Sequence, residues 1–351
     1  MSEGYKSWSA IAAAIKAKAQ QDLAQGRTRH GVHEQLVQAR FDRFLSRVFA
    51  DGGDGWILKG GTAMLARVAD SRSTKDLDLS APGELDTAMR DLADRVSADL
   101  GDHIRFELVK TVNTGLGTNQ PGTALRKAVF AAVDADTGKK LGDVSVDLAL
   151  THPPVGQPEL KDPANRIHLP KDLTAFPYRL WPIADHVADK VCATLGTFGG
   201  APSSRIKDLV DLVTIATTQQ LDARELQKAI DARRILNNIN SDLAVFKVPD
   251  AWREQSGRRE YQRLARTAAV DGIDDVRDAE ALVAGLVDPA LASEPAPDGV
   301  TWVPRRGWQA QPPEHPDAAA EPGRGEVWVR AHVRAGWPVR EHTRSARGTH
   351  T

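Results

Sequence analysis

Two aspartates stand one residue apart in Asp76-Leu77-Asp78-Leu79, downstream of the triplet Gly60-Gly61-Thr62. A strand projects residues i and i+2 on one face. Asp76 and Asp78 therefore point the same way, while Leu77 and Leu79 point to the core. Neighbouring carboxylates repel unless a cation lies between them. A glycine pair at the start of a helix leaves backbone N–H groups open to an anion. A phosphate cradle facing a divalent-metal clamp is the equipment of nucleotidyl transfer. In that reaction the α-phosphorus of a nucleoside triphosphate passes to an acceptor hydroxyl, and two Mg²⁺ ions neutralise the triphosphate and activate the nucleophile. Mg²⁺ takes one or two carboxylates together with phosphate oxygens and water, and Asp76 and Asp78 suit that pair. Asp147, in Val-Ser-Val-Asp-Leu-Ala-Leu, is the expected third carboxylate, because an unpaired charge in so apolar a strand is costly. Asp143 shares its face by period two but lies nearer the turn. The competing reading of the acid pair is a solvated strand end.

A second group of charged residues lies far along the chain. Asp208 and Asp211 share one helix face, and Lys207 stands four residues before Asp211, close enough to pair. Lys190 sits on the preceding helix between Val187 and Val191. A lysine so placed either snorkels outward or is held inward by acids. Held by Asp208 or Asp211, it would be a fixed cation aimed at the phosphates of a nucleotide; the alternative is an ordinary salt bridge between helices. Arg205 could add a phosphate contact. Lys59, Lys75, Arg126 and Lys127 are basic residues near the proposed cleft. Lys75 is expected to point away, and Arg126 and Lys127 alternate on a strand, so at most one of them faces the site. His186 is read as structural. His30 and His33 lack the His-Glu-x-x-His spacing of a metal site and suit a helix start.

These residues need elements to carry them. Helices are expected over 5–25, with Trp8, Ile11, Ala12 and Ile15 inward, and from about 33 to 50. A strand at 56–58, a short helix after the glycines, a strand at 76–80 and an amphipathic helix over 84–100 follow. Strands at 104–112, 125–133 and 143–150 then form an antiparallel run, with a hairpin turn at 134–140. The segment 113–123 reads as a loop. Residues 51–150 thus predict a compact α+β domain preceded by helices over 1–50. The proline-rich stretch 151–181 reads as a connection, with a short extended piece near 167–169. Helices follow over 183–196, 205–219, 222–236, 258–270 and 275–287, giving a helical domain at 182–290. Residues 291–351 form a tail rich in Pro, Arg and Trp, with Trp302, Trp308, Trp328 and Trp337. Arginine interleaved with tryptophan can hold single-stranded nucleic acid by phosphate contact and stacking. Tryptophans can equally pin a tail to the body.

Composition excludes several classes. At 351 residues, 41% hydrophobic and 26% charged, the chain reads as a globular protein of ordinary make-up. A formal net charge of −1 gives no global attraction to nucleic acid, so any such binding needs a local patch. The single cysteine, Cys192, rules out an internal disulfide and a Cys-rich metal site, which suits a reducing cytoplasm. No apolar run reaches the length of about 18 residues that a membrane span needs. There is no P-loop, no Gly-x-Gly-x-x-Gly after a strand and no nucleophile elbow.

The pattern of Gly-Gly-Thr, a spacer, and Asp-Leu-Asp resembles the signature of the nucleotidyltransferase superfamily that includes DNA polymerase β. Leu58-Lys59-Gly60-Gly61-Thr62 followed by Lys75-Asp76-Leu77-Asp78 is similar to the AbiEii/AbiGii (MenT-like) toxin branch. Ala184–Lys190 and Ser204–Asp211 resemble that branch's helical motifs, so the resemblance spans roughly residues 30–235. Thr62 stands where the superfamily often has Ser. The resemblance implies a polymerase-β-like mixed sheet with N-terminal helices and a C-terminal helical domain. It implies catalytic roles for Asp76, Asp78, Asp147, Lys190, Asp208 and Asp211. It also implies nucleotide binding by Gly60, Gly61, Thr62, Lys190, Arg205 and Lys207. The cofactor would be Mg²⁺ (or Mn²⁺), the substrate an NTP, and the acceptor an RNA such as a tRNA 3′ end. The setting would be a toxin–antitoxin or phage-defence system in the cytoplasm, with a winged-helix DNA-binding antitoxin as partner. A phosphate on Thr62 would occupy the place meant for the substrate's phosphate and act as an off-switch. Two other readings stay open: another phosphotransferase or small-molecule nucleotidyltransferase, and a non-catalytic nucleotide- or RNA-binding protein of the same fold.

Overall fold

The computed structural model describes residues 4–53, 55–116, 124–150, 152–239, 244–268, 270, 272–292, 294–310, 326–329, 332–334, 336–339 and 342–345. Two helices come first, α1 (Trp8–Ala24) and α2 (Val32–Val48). The Ser7 hydroxyl accepts the Ala10 N–H at 3.2 Å and caps α1. Trp8, Ile11 and Ile15 are buried at the helical spacing that the sequence predicts, with Ala19 continuing the stripe. Then come β1 (Ile57–Lys59), α3 (Gly60–Arg67), β2 (Asp76–Ser80), α4 (Leu85–Val96), β3 (Ile104–Leu116), β4 (Ala124–Asp134) and β5 (Lys140–Leu150).

The expected connection supplies two more strands, β6 (Glu159–Lys161) and β7 (Tyr178–Leu180). The expected extended piece at 167–169 is not a strand. All seven strands form one sheet in the order β3-β4-β5-β2-β1-β7-β6. It is mixed: β2 runs parallel to β5 and antiparallel to β1, and β1 runs parallel to β7. β3 continues through Leu116, into the stretch read as a loop, while 117–123 lie outside the described residues. The hydrophobic face of the sheet explains the alternation. Leu77 and Leu79 on β2 pair with Val146 and Leu148 on β5, and all four are buried. α2 covers them with Phe44, Leu45 and Val48; Phe44 packs edge-on against Phe106 and Phe130. A buried ion network ties α2 to the chain before β3, where Arg47 and Arg43 both pair with Asp102.

From Pro182 the chain is mainly helical. α5 (Ile183–Leu195) leads into a hairpin of β8 (Thr197–Phe198) and β9 (Ala201–Pro202), then α6 (Ile206–Thr218). β10 (Leu221–Asp222), α7 (Ala223–Leu236), α8 (Asp250–Arg253), α9 (Gln255–Ala265) and α10 (Val276–Leu291) follow. This half has its own hydrophobic core, which Met64 of α3 enters while Ala63 and Ala66 of the same helix belong to the first core. α3 thus stitches the two cores together directly beneath the glycine triplet.

After α10 come β11 (Val300–Val303), β12 (Gly307–Ala310), β13 (Glu326–Val329), β14 (His332–Arg334), β15 (Trp337–Val339) and β16 (His342–Ser345). β10, β11 and β12 make a small sheet. Trp302 and Trp337 are buried in the second core, and Trp302 donates to the Ala216 carbonyl at 2.7 Å. Trp308 stacks edge-on with both. For these three tryptophans the packing reading holds over the nucleic-acid one. The Trp328 side chain lies outside the described residues. Among the described residues no helix is long and apolar enough to cross a membrane.

Candidate active site

The acids and the glycines meet at the β1–α3–β2 turn. β1 ends at Lys59, which pairs in register with Asp78, and β5 brings Asp147 beside Asp78 on the other side. Strand alternation then places Asp76, Asp78 and Asp147 on the face opposite the buried leucines. Gly60 has a positive φ of 62°, and a Cβ there would collide with the Asp78 carboxylate. Both facts require glycine. Gly60→Ala is expected to push Asp78 out of place and to cost about 1–2 kcal/mol in backbone strain. Nucleotide transfer should fall far more than stability, which a transfer assay beside a urea melt measures.

The first N–H groups of α3 have no intrahelical partner, so Gly60, Gly61 and Thr62 offer donors for an anion. The Thr62 side chain does not share in this. It is 4% exposed, and its hydroxyl donates to the Asp76 carbonyl at 3.2 Å. Thr74 donates to the same oxygen at 3.2 Å. Thr62 therefore braces α3 on β2 through its side chain, leaving only its backbone for a phosphate. A buried hydroxyl so engaged is also a poor acceptor for a modifying phosphate, which weighs against the off-switch.

Asp78 is partly buried. Burial raises its carboxyl above the usual range and the nearby Asp147 charge adds to this, while Lys190, Lys207 and Lys59 pull it down. Protonation thus competes with cation binding at a higher pH than at an ordinary aspartate. A carbon-13 titration of the Asp78 carboxyl should have a midpoint above the aspartate norm, and Asp147→Asn should lower it. A midpoint at or below the norm in both proteins would contradict the burial and proximity described here.

The second half of the site is a chain of buried ions. Lys190 on α5 is only 5% exposed and reaches Asp208 at 3.2 Å and Asp211 at 2.7 Å, both on α6. The sequence left open whether Lys190 snorkels or is held inward; it is held, by both acids. Arg205 at the start of α6 closes on Asp208 at 2.6 Å. Burial raises the Asp208 carboxyl, but Lys190 and Arg205 outweigh it and hold the group far below the usual range. Lys207 is exposed and does not pair with Asp211 as the four-residue spacing suggests. Asp211 is taken instead by Lys190 and by a residue that no local pattern singles out.

That residue is Arg72, in the turn between α3 and β2. Its Nε and Nη2 donate to Asp211 Oδ1 and Oδ2, each at 2.8 Å. Beside it, a Cβ on Gly61 would come within 3.6 Å of the Arg72 guanidinium. Arg72 thus fastens the glycine–acid half of the site to the lysine half. The only local signal for it was a lone arginine in a polar turn just ahead of Thr74-Lys75-Asp76.

Two other lysines border the acids. Lys59 lies 3.7 Å from the centre of the Trp181 ring and 3.6 Å from Asp189. Lys127 on β4 reaches Asp76 at 3.4 Å and Asp147 at 3.5 Å, whereas Arg126 turns to Asp86 on α4 at 2.5 Å. One of the pair faces the acids, as alternation requires. His186 is buried and held neutral by burial and then by Lys190, so it adds no charge here.

The donor set fits a hard divalent cation. It is all oxygen, shared among Asp76, Asp78 and Asp147, and the Lys127 ammonium already stands between two of them as a cation does. Among the described residues no three His, Cys, Asp or Glu side chains are grouped so as to hold a metal ion by themselves. Oxygens from a phosphate and water would have to complete the shell, as they do for Mg²⁺.

A family model described as the nucleotidyl transferase AbiEii toxin of type IV toxin–antitoxin systems matches residues 43–284. That range contains every residue of the site. A search among curated proteins returns no match. Among solved structures, MenT4, a nucleotidyltransferase toxin from Mycobacterium tuberculosis H37Rv, is 17% identical, with 79% of this chain and 94% of that chain covered and a TM-score of 0.46. JHP933 from Helicobacter pylori is 14% identical, with 71% and 89% covered and a TM-score of 0.39.

Proposed function

Because the chain belongs to the AbiEii nucleotidyl transferase toxin family, we propose that it moves a nucleotide from an NTP onto the hydroxyl of an RNA, the 3′ end of a tRNA. The observation that carries this is the double hydrogen bond from Arg72 to Asp211. It ties the turn that follows the glycine-led helix to the helix whose acids hold Lys190, and this supports reading the two groups as halves of one site.

The triphosphate lies against the N–H groups of Gly60, Gly61 and Thr62, with Lys190 as the fixed cation. Asp76, Asp78 and Asp147 would hold Mg²⁺ (or Mn²⁺), which when bound neutralises the triphosphate and activates the acceptor hydroxyl. Asp208 and Asp211 keep Lys190 charged and immobile, so its field acts on the reacting phosphate without reorganising. Arg205 steadies Asp208, and the exposed Lys207 can reach an outer phosphate. Asp147 serves as third ligand or as the base that takes the proton of the acceptor hydroxyl.

Family membership implies a cognate antitoxin. We take it to be a winged-helix DNA-binding protein encoded alongside, acting with the toxin in the cytoplasm. The effect of the activity is growth arrest through blocked translation, of use in phage defence. Induced expression tests this. The wild-type chain should stop host growth, and the tRNA of arrested cells should carry extra 3′ nucleotides on sequencing. Asp78→Ala and Lys190→Ala should abolish both effects. Arrest with unaltered tRNA ends would move the acceptor to another RNA, and harmless expression of the wild type would oppose the toxin reading.

A further inference from the structure

Lys127 has no part in the activity described above, yet it occupies the middle of the acid face. β4 pairs Lys127 with Asp147 across the sheet, and β5 pairs Asp147 with Asp78. The Lys127 ammonium bridges Asp76 and Asp147 at 3.4 and 3.5 Å. Four neighbouring cations are committed elsewhere: Lys59 to Asp189 and the Trp181 ring, Lys190 to Asp208 and Asp211, Arg72 to Asp211, and Arg126 to Asp86; the exposed Lys207 acts on Asp78 through its charge.

We propose that Lys127 is a built-in counter-cation that competes with the divalent ion for the acid face, so that the ion enters by displacing it. The proposal rests on the reading that Asp76, Asp78 and Asp147 are the metal ligands. Without a cation these acids repel one another, and Lys127 relieves that repulsion between Asp76 and Asp147. Its side chain is 37% exposed, which leaves it a path into water when it is displaced. A bare divalent ion must overcome both the Lys127 contacts and repulsion from the ammonium. An ion that arrives with a triphosphate brings added negative charge, to which the released ammonium can turn. Metal therefore loads together with nucleotide rather than ahead of it.

Titration of the purified full chain with Mn²⁺ alone, following free Mn²⁺ by electron paramagnetic resonance, tests this without any turnover. Lys127→Met and Lys127→Gln should each bind Mn²⁺ about tenfold more tightly than the wild type, the scale of removing partly exposed charge contacts. Asp147→Asn should lose the site. If both Lys127 variants bind no more tightly than the wild type, while Asp147→Asn loses binding, the counter-cation is overturned and the metal ligands stand. If no protein of the set binds Mn²⁺, the metal ligands fall and the counter-cation with them. Using two substitutions keeps the test decisive should one of them fold poorly.

Discussion

Lys190→Met is expected to slow nucleotide transfer severely and to cost the fold about 3 kcal/mol, the low end for removing one partner of a buried ion group. The low end applies because neither acid is left alone: Asp208 keeps Arg205 and Asp211 keeps Arg72. Transfer should fall by a factor of about 10²–10³, the usual effect of removing one fixed donor from developing charge. Lys190→Arg should not restore it, because a planar fork cannot replace a compact ammonium between two acids on one helix face. A urea melt and a single-turnover transfer assay on the same preparations measure both effects. Full activity in Lys190→Met would reduce the buried group to an ordinary salt bridge.

The second large effect is expected at Arg72. Arg72→Ala removes both hydrogen bonds to Asp211 and leaves it one cation, Lys190 at 2.7 Å. Stability should drop by about 1–3 kcal/mol, the cost of a buried acceptor that loses a partner. Activity should suffer more, because the bond sets the spacing between glycine cradle and lysine. A misplacement of about 1 Å can cost about 10²-fold. Arg72→Lys should recover part of the stability and little of the rate, since a single ammonium cannot hold two carboxylate oxygens in line. The losses from Arg72→Ala and Lys190→Met should not add in the double variant, because both act through Asp211. Additive losses would mean that the two halves of the site work separately.

The parts of this site legible in the sequence are those set by short-range geometry. Alternation placed Asp76 and Asp78 on one face and Leu77 and Leu79 on the other. Helical spacing put Asp208 and Asp211 together, and the cost of an unpaired charge in an apolar strand made Asp147 the expected third acid. Arg72 escaped because its partner lies 139 residues away, and a polar turn holding an arginine is common. The strands β6 and β7 escaped because three residues in a proline-rich stretch carry no periodicity; they gain their place by pairing with each other and with β1. Thr62 was placed in the right turn but with its hydroxyl facing the wrong way. Its bond to the Asp76 carbonyl depends on how α3 packs over β2, and no local pattern states that. Lys127 was narrowed to one of two residues by alternation, and only the register of β4 on β5 chose between them.

If Asp78 and the glycine turn belong to a working transferase, the purified chain should label RNA. Incubating the purified chain with total RNA and each α-phosphate-labelled NTP in turn, beside Asp78→Asn, tests it most directly. Labelled RNA is expected from the wild type with at least one NTP and none from Asp78→Asn. Equal labelling by the two proteins, or none from either with every NTP, would contradict it.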